Sequence, residues 1–582
     1  MRKQRLKSRT SLIQGLCFLV FGLIVIQLFR LQVLNHKLYA TKANQQQIMK
    51  STIFAKRGEI YFLDGDTPVP IVMNKKTYTI SIDPSLVVKK REEITKKIDE
   101  MVGSYRTKAS WDEVLADPER KYFVVAKNVP YRETNNLKNA DLTGVYEQET
   151  TTRVYPEGEM AAQVLGFVNQ EGEGQYGVEG SLNKELTGEN GLLKTVKDSN
   201  NVPLTIGNEN VKIPAKDGKN LVLTIDRNIQ KKAEEAVDEV TKKFNITYGS
   251  AIVMNPATGQ ILAMAGKPGY NPAEYAKVTD AKVFQTDVTM NAFNSASVCK
   301  TFAIAAAIDS GVMTPETTYY NTDRLVIDGW PIENAIKGHT GEISMQTVLT
   351  YSLNTGSIQA LKLLGGSASE ITYQGKEKLY DYYHNRFNLG KYTGIELPET
   401  KGSIVPPNDI DATDARYANI TFGQSLDLSI IQVASAFSAV VNGGEYYRPT
   451  LIAGEMKDGK FVRTELAKAD HDALNKNDTS RTMRQMLHTG RLVFPNVKGY
   501  DEDYYVGGKT GTAQTVKNGK YSFDETIGTY VGFGAKSLEE TPDYVIMTKV
   551  WSDNRKLDGG MNAKPIFDEI SKYMINYNKV RR

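Results

Sequence analysis

The chain has 582 residues, more than a single hydrophobic core usually organises, so two or more domains are expected. Its 72 lysine and arginine residues nearly balance its 68 aspartate and glutamate residues, for a formal net charge of +4. This balance argues against a nucleic-acid-binding role. The five histidines are scattered without a metal-ligand spacing, so neither a metal site nor a cofactor is expected.

The N-terminus has the pattern of a membrane anchor. An apolar run from Leu12 to Phe29 has about the length that a membrane-spanning helix needs. We expect a cytoplasmic tail at residues 1–10, a membrane helix at residues 11–33 and an exported remainder, because basic flanks stay in the cytoplasm. A cleaved signal peptide is the alternative, although no small-residue cleavage site closes the run. The tail carries five basic residues and no acidic one: Arg2, Lys3, Arg5, Lys7 and Arg9.

Two cysteines are present, Cys17 in the apolar run and Cys299 far along the chain. They are expected on different sides of the membrane interface, so they cannot pair. The exported part must then be stabilised by its core and not by disulfides.

Residues 34–219 differ in composition from the C-terminal part of the chain, being rich in charged residues, tyrosine and threonine. Tyr78 to Ile82 is typical of a strand, and the glycine-rich stretch 166–191 indicates backbone bends. The segments beginning at Arg57 (RGEI) and Arg153 (RVYP) would, taken alone, indicate a surface salt bridge or a turn.

A second region begins near residue 220. Leu221 to Ile225 alternates like a strand, and Asp226 suits the N-cap of a following helix. The apolar face of that helix consists of Ile229, Ala233, Val237, Val240 and Phe244.

The rest of this region predicts a sheet with helices packed on it. Ser250 to Met254 and Gln260 to Ala265 flank an NPATG turn and indicate a hairpin. Residues 302–442 are predicted to be mainly helical. Three further strands and a final helix are predicted at Tyr505–Thr515, Thr529–Phe533, Tyr544–Trp551 and about Pro565–Tyr577. We therefore expect one antiparallel sheet formed by the two ends of the region.

Within this region, Ser297 and Lys300 form an SxxK motif at the start of a predicted alanine-rich, buried helix. Residues three apart share a helix face, so the two side chains can meet. A serine hydroxyl needs a neighbouring base to become a nucleophile, and a lysine can serve when burial or a second cation lowers its pKa. Alone, the motif is common by chance.

The second motif, SxN, holds Ser352 and Asn354 on either side of Leu353. A buried leucine would leave the serine and the asparagine pointing the same way. Ser352 could then relay a proton to a leaving amine, and Asn354 could bind Lys300 and the amide of an acyl donor.

The third motif is the KTGT segment, Lys509, Thr510, Gly511 and Thr512, preceded by two glycines in a predicted strand. Glycine weakens a strand unless another backbone must approach closely, as a peptide adding itself as an extra strand would. Lys509 and Thr510 could hold a carboxylate, and the backbone N–H groups of Thr512 and Ser297 could form an oxyanion hole. The three motifs in this order are characteristic of penicillin-interacting serine enzymes.

The chain as a whole resembles the class B penicillin-binding proteins, which are monofunctional peptidoglycan D,D-transpeptidases. Beyond the three motifs, the resemblance includes the membrane run, the RGEI and RVYP segments and several further landmarks. These are Gly174–Glu179, Leu186–Gly188, Gly394–Pro398 and Gly423-Gln424. The resemblance replaces the simple surface interpretation of Arg57 and Arg153, because in this family such segments build the non-catalytic pedestal.

The resemblance implies an α+β architecture. It consists of a transmembrane helix, an elongated mixed α/β pedestal at residues 34–219 and a transpeptidase domain at residues 220–582. That last domain is expected to hold a five-stranded antiparallel sheet flanked by helices, together with a helical subdomain. The pedestal is too short for a glycan-polymerising domain, so the resemblance implies a separate SEDS-type membrane polymerase as partner.

The resemblance also implies residue roles. Ser297 would be the acylated nucleophile and Lys300 its base. Ser352 and Asn354 would complete the catalytic set, while Lys509 to Thr512 would bind the substrate carboxylate and form part of the oxyanion site. Stem peptides would be the substrates, and β-lactams would acylate the same serine. Two residues depart from the common pattern: Cys299, where a bulkier apolar residue is usual, and Leu353, where serine or aspartate is usual.

Two other functions use a related centre. A serine β-lactamase needs a base for hydrolysis, but no ExxLN box lies between the second and third motifs, where Glu396 and Glu399 occur. The second is a β-lactam sensor or a catalytically silent scaffold, and sensors generally need several membrane spans or a cytoplasmic effector. Residual D,D-carboxypeptidase activity stays open as a variant of the main reaction.

Overall fold

The computed structural model describes residues 2–37, 48–117, 120–196, 211–475, 477–494, 504–517 and 520–581. The chain divides into two units, of which the first comprises residues 1–57 and 187–218. The second comprises residues 58–186 and 219–582.

The first unit begins with the apolar helix. It runs over Arg2–Phe29 and continues as a π-helical turn at Arg30–Leu34. Within the described residues it is the one helix long and apolar enough to cross a membrane, and its apolar side chains are exposed. The unit also holds a three-stranded antiparallel sheet of Ile48–Ile53, Gly191–Val196 and Val211–Ile213. Beside it, Arg57 donates a 2.8 Å hydrogen bond to Thr187 Oγ1.

A seven-stranded sheet lies at the start of the second unit. Asn220–Asp226 pairs in parallel with Ile60–Asp64, and the other neighbours are antiparallel. The 16-residue strand Thr67–Ile82 extends well beyond the predicted Tyr78–Ile82 and pairs with three others. The strands in spatial order are Lys460–Arg463, Ile452–Lys457, Asn220–Asp226, Ile60–Asp64, Thr67–Ile82 and Phe123–Val129, with Val145–Val154 also on Thr67–Ile82.

Helices cover one end of this sheet and form a separate small core. Arg91–Val102 presents Ile94, Ile98 and Val102 to it at a spacing of four residues, as an amphipathic helix does. The helices of this small core are Pro84–Val87, Arg91–Val102, Trp111–Leu115 and Tyr131–Asn139. The next helices, Ala162–Leu165, Gly177–Ser181 and Asn183–Thr187, contribute side chains to the main core instead. Short 3₁₀ turns lie at Val88–Lys90 and Gly103–Tyr105, and a two-stranded ribbon pairs Phe167–Val168 with Gly174–Gln175.

A buried ion pair ties the RVYP segment to the glycine-rich stretch. The Arg153 guanidinium lies 2.7 Å from Glu179 Oε1 and also donates to Asn74 Oδ1 at 2.8 Å. The Glu179 side chain is 0% exposed and that of Arg153 is 5% exposed. A charge this deep must be paired, so the two segments depend on each other.

The predicted antiparallel sheet is present with five strands. Their spatial order is Ile261–Lys267, Tyr248–Met254, Tyr544–Trp551, Lys520–Ala535 and Tyr505–Lys517, and each neighbouring pair is antiparallel. The predicted hairpin is confirmed, whereas Lys520–Ala535 is much longer than the predicted Thr529–Phe533. Tyr505–Lys517, which carries the KTGT motif, lies at one edge.

Side chains alternate between the two faces of this sheet. Ala251 and Val253 pack on the helices Arg227–Phe244 and Lys564–Arg581, whereas Ile252 and Met254 join a helical core on the opposite face. Asp226 caps the first of these helices by accepting from the Asn228 and Ile229 N–H groups, which confirms the predicted start.

The segment between the strands is less helical than predicted. Its described residues include Cys299–Asp309 and six other α-helices of at least 7 residues, but also three short ribbons and a long irregular stretch. The helices are Cys299–Asp309, Met345–Tyr351, Asn354–Leu364, Tyr373–Tyr380, Asp414–Thr421, Ile430–Val441 and Asn477–Leu492. The ribbons pair Thr318–Asn321 with Gly341–Ser344, Arg324–Ile327 with Trp330–Glu333, and Glu445–Tyr446 with His471–Asp472. Single turns lie at Pro272–Lys277, Ala281–Phe284, Asp287–Met290, Ala296–Val298 and Asp381–Arg386, and Gly559–Ala563 forms a further turn after the last strand.

Candidate active site

Ser297 and Lys300 meet at the start of a buried helix. Ser297 lies in the 3₁₀ turn Ala296–Val298, and Lys300 lies in the first turn of the helix Cys299–Asp309. The Lys300 Nζ is 2.8 Å from Ser297 Oγ, and the Lys300 side chain is 0% exposed. The predicted contact between the two side chains is therefore present.

The sequence of this helix explains its burial. Ala303, Ala305, Ala306 and Ala307 are fully buried, and small side chains allow neighbouring helices to approach on every side. Asn354–Leu364, Asp414–Thr421, Ile430–Val441 and Asn477–Leu492 all contact it. The helix is thus a fixed support for the serine at its N-terminal end.

The turn before Ser297 has a left-handed backbone. Ala296 has φ of 57°, an uncommon value for a residue with a side chain. Its N–H donates to the Gly423 carbonyl at 3.0 Å, and a Cβ at Gly423 would overlap the Ala296 backbone. Glycine is therefore required at position 423, which has φ of 78°, so that the serine turn can pack there.

The second motif brings Ser352 against Lys300. Ser352 ends the helix Met345–Tyr351 in a left-handed conformation, with φ of 57°. Its carbonyl oxygen lies 2.6 Å and its Oγ 3.1 Å from Lys300 Nζ. Leu353 is fully buried, as predicted, and it anchors the turn between two helices.

Asn354 has a partner that the sequence did not indicate. Its Nδ2 donates to the Glu333 carbonyl at 2.7 Å, in the ribbon strand Trp330–Glu333. Among the described residues, no hydrogen bond joins Asn354 to Lys300, so that part of the expectation was wrong. The side-chain amide is instead held by the ribbon.

The third motif runs along the sheet edge beside the serine turn. Lys509 is 5% exposed, and its Nζ donates to the Thr510 carbonyl at 3.2 Å. A Cβ at Gly511 would lie 3.0 Å from the Ser295 carbonyl oxygen and 3.4 Å from Ala296 Cβ. The strand therefore passes directly beside the turn that carries Ser297.

The two glycines before the motif, Gly507 and Gly508, are required for a different reason from the expected approach of another backbone. A Cβ at Gly508 would collide with Tyr530, and one at Gly507 with the Phe533 ring. Both positions are thus restricted by side chains of the neighbouring strand, Lys520–Ala535. The glycine pattern reflects packing within the chain at these two positions.

Burial lowers the pKa of both lysines of the site, Lys300 and Lys509. It lowers the pKa of Lys300 well below its ordinary value, and the nearby Lys509 charge lowers it further. Burial also lowers the pKa of Lys509 to about 7, against the opposing effect of Asp558. An uncharged amine at Lys300 can accept a proton at neutral pH.

Asp558 was missed by the sequence reasoning. It accepts from Thr512 Oγ1 at 3.1 Å and from the Gly560 and Met561 N–H groups at 2.7 and 2.9 Å. It therefore ties the end of the KTGT motif to the turn after the last strand. The Asp-Gly-Gly sequence at residues 558–560 was the available signal, since such segments mark tight turns.

Cys299 is fully buried beside Ser295, whose Oγ lies 3.0 Å from its Sγ. Burial raises the pKa of this thiol to about 12, so it stays protonated and unreactive. This agrees with packing as its role.

Two family models match the chain. The transpeptidase domain of penicillin binding proteins matches residues 249–572, and the penicillin-binding protein dimerisation domain matches residues 52–223. The second match covers most of residues 34–219, here called the pedestal-like part, and the first covers the site around Ser297.

Curated relatives and solved structures agree with these matches. The chain is 29% identical over 528 residues to stage V sporulation protein D of Bacillus subtilis, covering 88% of this chain and 77% of that protein. It is 26% identical over 578 residues to the probable peptidoglycan D,D-transpeptidase PbpC of Pseudomonas aeruginosa, covering 98% of this chain and 95% of that protein. Penicillin binding protein 3 of Mycobacterium tuberculosis, complexed with aztreonam, has the same fold with a TM-score of 0.66 and 21% identity, covering 91% of this chain and 98% of that one. The chain belongs to the class B penicillin-binding proteins.

Proposed function

We propose that this protein is a membrane-anchored peptidoglycan D,D-transpeptidase that cross-links stem peptides through an acyl intermediate on Ser297. The observation that carries the proposal is the 2.8 Å approach of the buried Lys300 amine to Ser297 Oγ. Burial lowers the pKa of this amine well below its ordinary value, which favours the uncharged form that can act as the base of a serine nucleophile.

In the acylation step, the Lys300 amine takes the proton of Ser297 as Oγ bonds to the carbonyl carbon of the penultimate D-Ala. The C–N bond to the terminal D-Ala then breaks, and the proton passes to the leaving amine through Ser352, whose Oγ is 3.1 Å from Lys300 Nζ. Backbone N–H groups of Ser297 and Thr512 would stabilise the oxyanion, each worth about 3 kcal/mol.

The donor peptide would bind along the edge strand Tyr505–Lys517 as an additional strand. Lys509 and Thr510 would hold its terminal carboxylate. Because Gly511 has no side chain, the edge strand can lie close to the turn that carries Ser297. The Asn354 amide, held by Glu333, would face the donor peptide.

In the second step, an amine from a neighbouring stem peptide attacks the ester carbonyl. The new amide bond forms, the ester bond breaks, and Ser297 regains its proton through Lys300. A β-lactam would acylate the same serine and leave slowly. With water as acceptor, the same steps would give carboxypeptidase activity.

A β-lactamase function is disfavoured by the environment of the two candidate glutamates. Glu399 accepts from the Thr393 and Gly394 N–H groups at 2.9 and 2.7 Å. Glu396 accepts from Thr450 Oγ1 and the Leu451 N–H at 2.7 and 2.8 Å. Both carboxylates stabilise local structure, and within the described part of the chain no hydrogen bond joins either of them to Ser297.

For the cellular arrangement, we propose a cytoplasmic tail at residues 1–10, a membrane helix at 11–33 and an exported remainder. The basic tail before the apolar helix supports this orientation. A pedestal at residues 34–219 would precede the transpeptidase domain at 220–582. A separate SEDS-type membrane protein would supply the glycan strands.

The test is to locate the acyl group. Full-length protein in detergent is treated with benzylpenicillin, digested and analysed by mass spectrometry. We expect the adduct on Ser297, with nitrocefin turnover so slow that the acyl-enzyme accumulates. An adduct on another residue, or sustained rapid turnover, would contradict the proposal.

The coupling between the two lysines predicts a pH effect. Acylation should rise with pH as Lys300 loses its proton, and the Lys509 charge holds the pKa of Lys300 down. Because Lys509→Met removes that charge, the pKa of Lys300 should rise and the acidic limb of the acylation profile should move to higher pH. Stopped-flow acylation by benzylpenicillin between pH 4 and 8 would measure the limb. Lys509→Arg, which keeps the charge, is the control, and an unmoved limb in Lys509→Met would disprove the coupling.

A further inference from the structure

An apolar cleft opens next to the second and third motifs. Its volume is about 340 Å³, and its lining includes Ser352, Lys509 and Thr510. The remainder is largely apolar, and its rim residues Phe494 and Met561 are 44% and 71% exposed. The apolar lining includes Leu349, Tyr351, Met486, Leu487, Phe494 and Met561.

The charged groups of the cleft are already engaged, with one exception. Arg491 donates to Tyr530 and Asp568, and Lys564 lies 2.6 Å from Asp568. Asp558 is held by Thr512 and by backbone N–H groups. Lys509, however, makes no ion pair with any residue that the structure describes. The cleft therefore combines an apolar wall with one amine, that of Lys509, which has no ion-pair partner among the described residues and which a bound carboxylate would hold in its protonated form.

The position of the cleft identifies which part of a donor peptide would reach it. Neither Ser297 nor Thr512 lines it, whereas the proposed carboxylate-binding residues Lys509 and Thr510 do. It thus lies at the carboxylate end of the donor, beyond the bond that is broken.

We infer that this cleft binds the side chain of the leaving C-terminal D-residue, and that it accepts apolar side chains larger than the methyl group of D-Ala. This inference rests on the proposed function. A volume of 340 Å³ is roughly ten times the ~30 Å³ share of one water molecule in the liquid, whereas a methyl group needs little more than that share. Each additional buried methylene would strengthen binding about fourfold.

The test uses full-length protein in detergent and three peptides, diacetyl-L-Lys-D-Ala followed by D-Ala, D-Leu or D-Phe. Each peptide competes with a fluorescent penicillin for Ser297, so binding is measured whether or not the peptide is turned over. We expect the D-Leu and D-Phe peptides to half-protect the serine at concentrations at least fivefold lower than the D-Ala peptide. A smaller gain, or weaker protection, would overturn the inference.

A substitution in the cleft tests whether the preference for larger C-terminal D-residues arises there. Gly490 lies in the helix Asn477–Leu492 and lines the cleft, and a Cβ there would meet only ordinary contacts with Thr350. Gly490→Leu should therefore reduce the preference for D-Leu over D-Ala at least fivefold. Gln485→Leu places the same side chain on the exposed side of that helix and should leave the preference as in the wild type. Equal preferences in the two variants would show that the cleft is not the site.

The result is separable from the proposed function. Penicillin labelling of wild-type Ser297 reports on that function alone. Labelling without a preference for the larger peptides refutes only the cleft inference, whereas absent labelling refutes the function and with it the inference. If Gly490→Leu is not labelled, the wild-type peptide series still decides.

Discussion

Replacing Lys300 by methionine is expected to slow acylation of Ser297 by benzylpenicillin about 10³-fold, within the range that a positioned general base contributes. Methionine has a similar length and suits a fully buried site, but it cannot take the serine proton. The oxyanion hole and the substrate contacts remain, so a slow residual reaction is expected. Stopped-flow acylation measured at several penicillin concentrations would separate the chemical step from binding.

Two further variants serve as controls for the Lys300→Met measurement. Ser297→Ala sets the zero of the assay, since a label that persists in it would refute the nucleophile assignment. Lys362→Met changes a partly buried lysine on the helix Asn354–Leu364 and should acylate at the wild-type rate. Circular dichroism should show that Lys300→Met retains its fold. Acylation of a folded Lys300→Met protein at a near-normal rate would mean that another group is the base.

The largest effect on stability is expected at the buried ion pair in the pedestal-like part. Glu179→Ala leaves the Arg153 guanidinium, with a side chain only 5% exposed, buried without its carboxylate. Removing one partner of such a pair typically costs about 3–5 kcal/mol of unfolding free energy. Urea unfolding followed by intrinsic fluorescence would measure the loss as a lower transition midpoint.

The surface pair of Lys76 and Glu149 provides the matched control, because both side chains are more than half exposed. Glu149→Ala should change the unfolding midpoint little, since exposed ion pairs are screened by water. The double variant Arg153→Met/Glu179→Leu should recover much of the loss by replacing the pair with apolar side chains. If Glu179→Ala were as stable as Glu149→Ala, the pair would not link the two segments.

These two experiments address different requirements of the same enzyme. Lys300 acts on the reacting serine, and its effect should appear in acylation without loss of the fold. The pair of Arg153 and Glu179 acts on the stability of a part outside the five-stranded sheet. Acylation by Glu179→Ala at low temperature, where it is still folded, would show how far the pedestal-like part is needed for the chemistry.

Features that depend on neighbours in sequence were predictable. Asp226 caps the helix Arg227–Phe244 because an N-cap acts on N–H groups two and three residues away. The hairpin around NPATG arises from turn residues between alternating strands. The approach of Ser297 to Lys300 needs only a spacing of three at a helix start, so the central pair of the site was also visible in the sequence.

Contacts between distant segments were decided by the tertiary structure. The Asn354 amide binds Glu333 and not Lys300, and Asp558 holds Thr512 from 46 residues away in sequence. Gly507 and Gly508 are restricted by side chains of the adjacent strand, and Ala296 adopts its left-handed backbone against Gly423. The sequence by itself determined which residues carry the chemistry, because motif spacing and caps act over a few residues. Only packing could determine their partners, since those arise when segments far apart in the chain share one core.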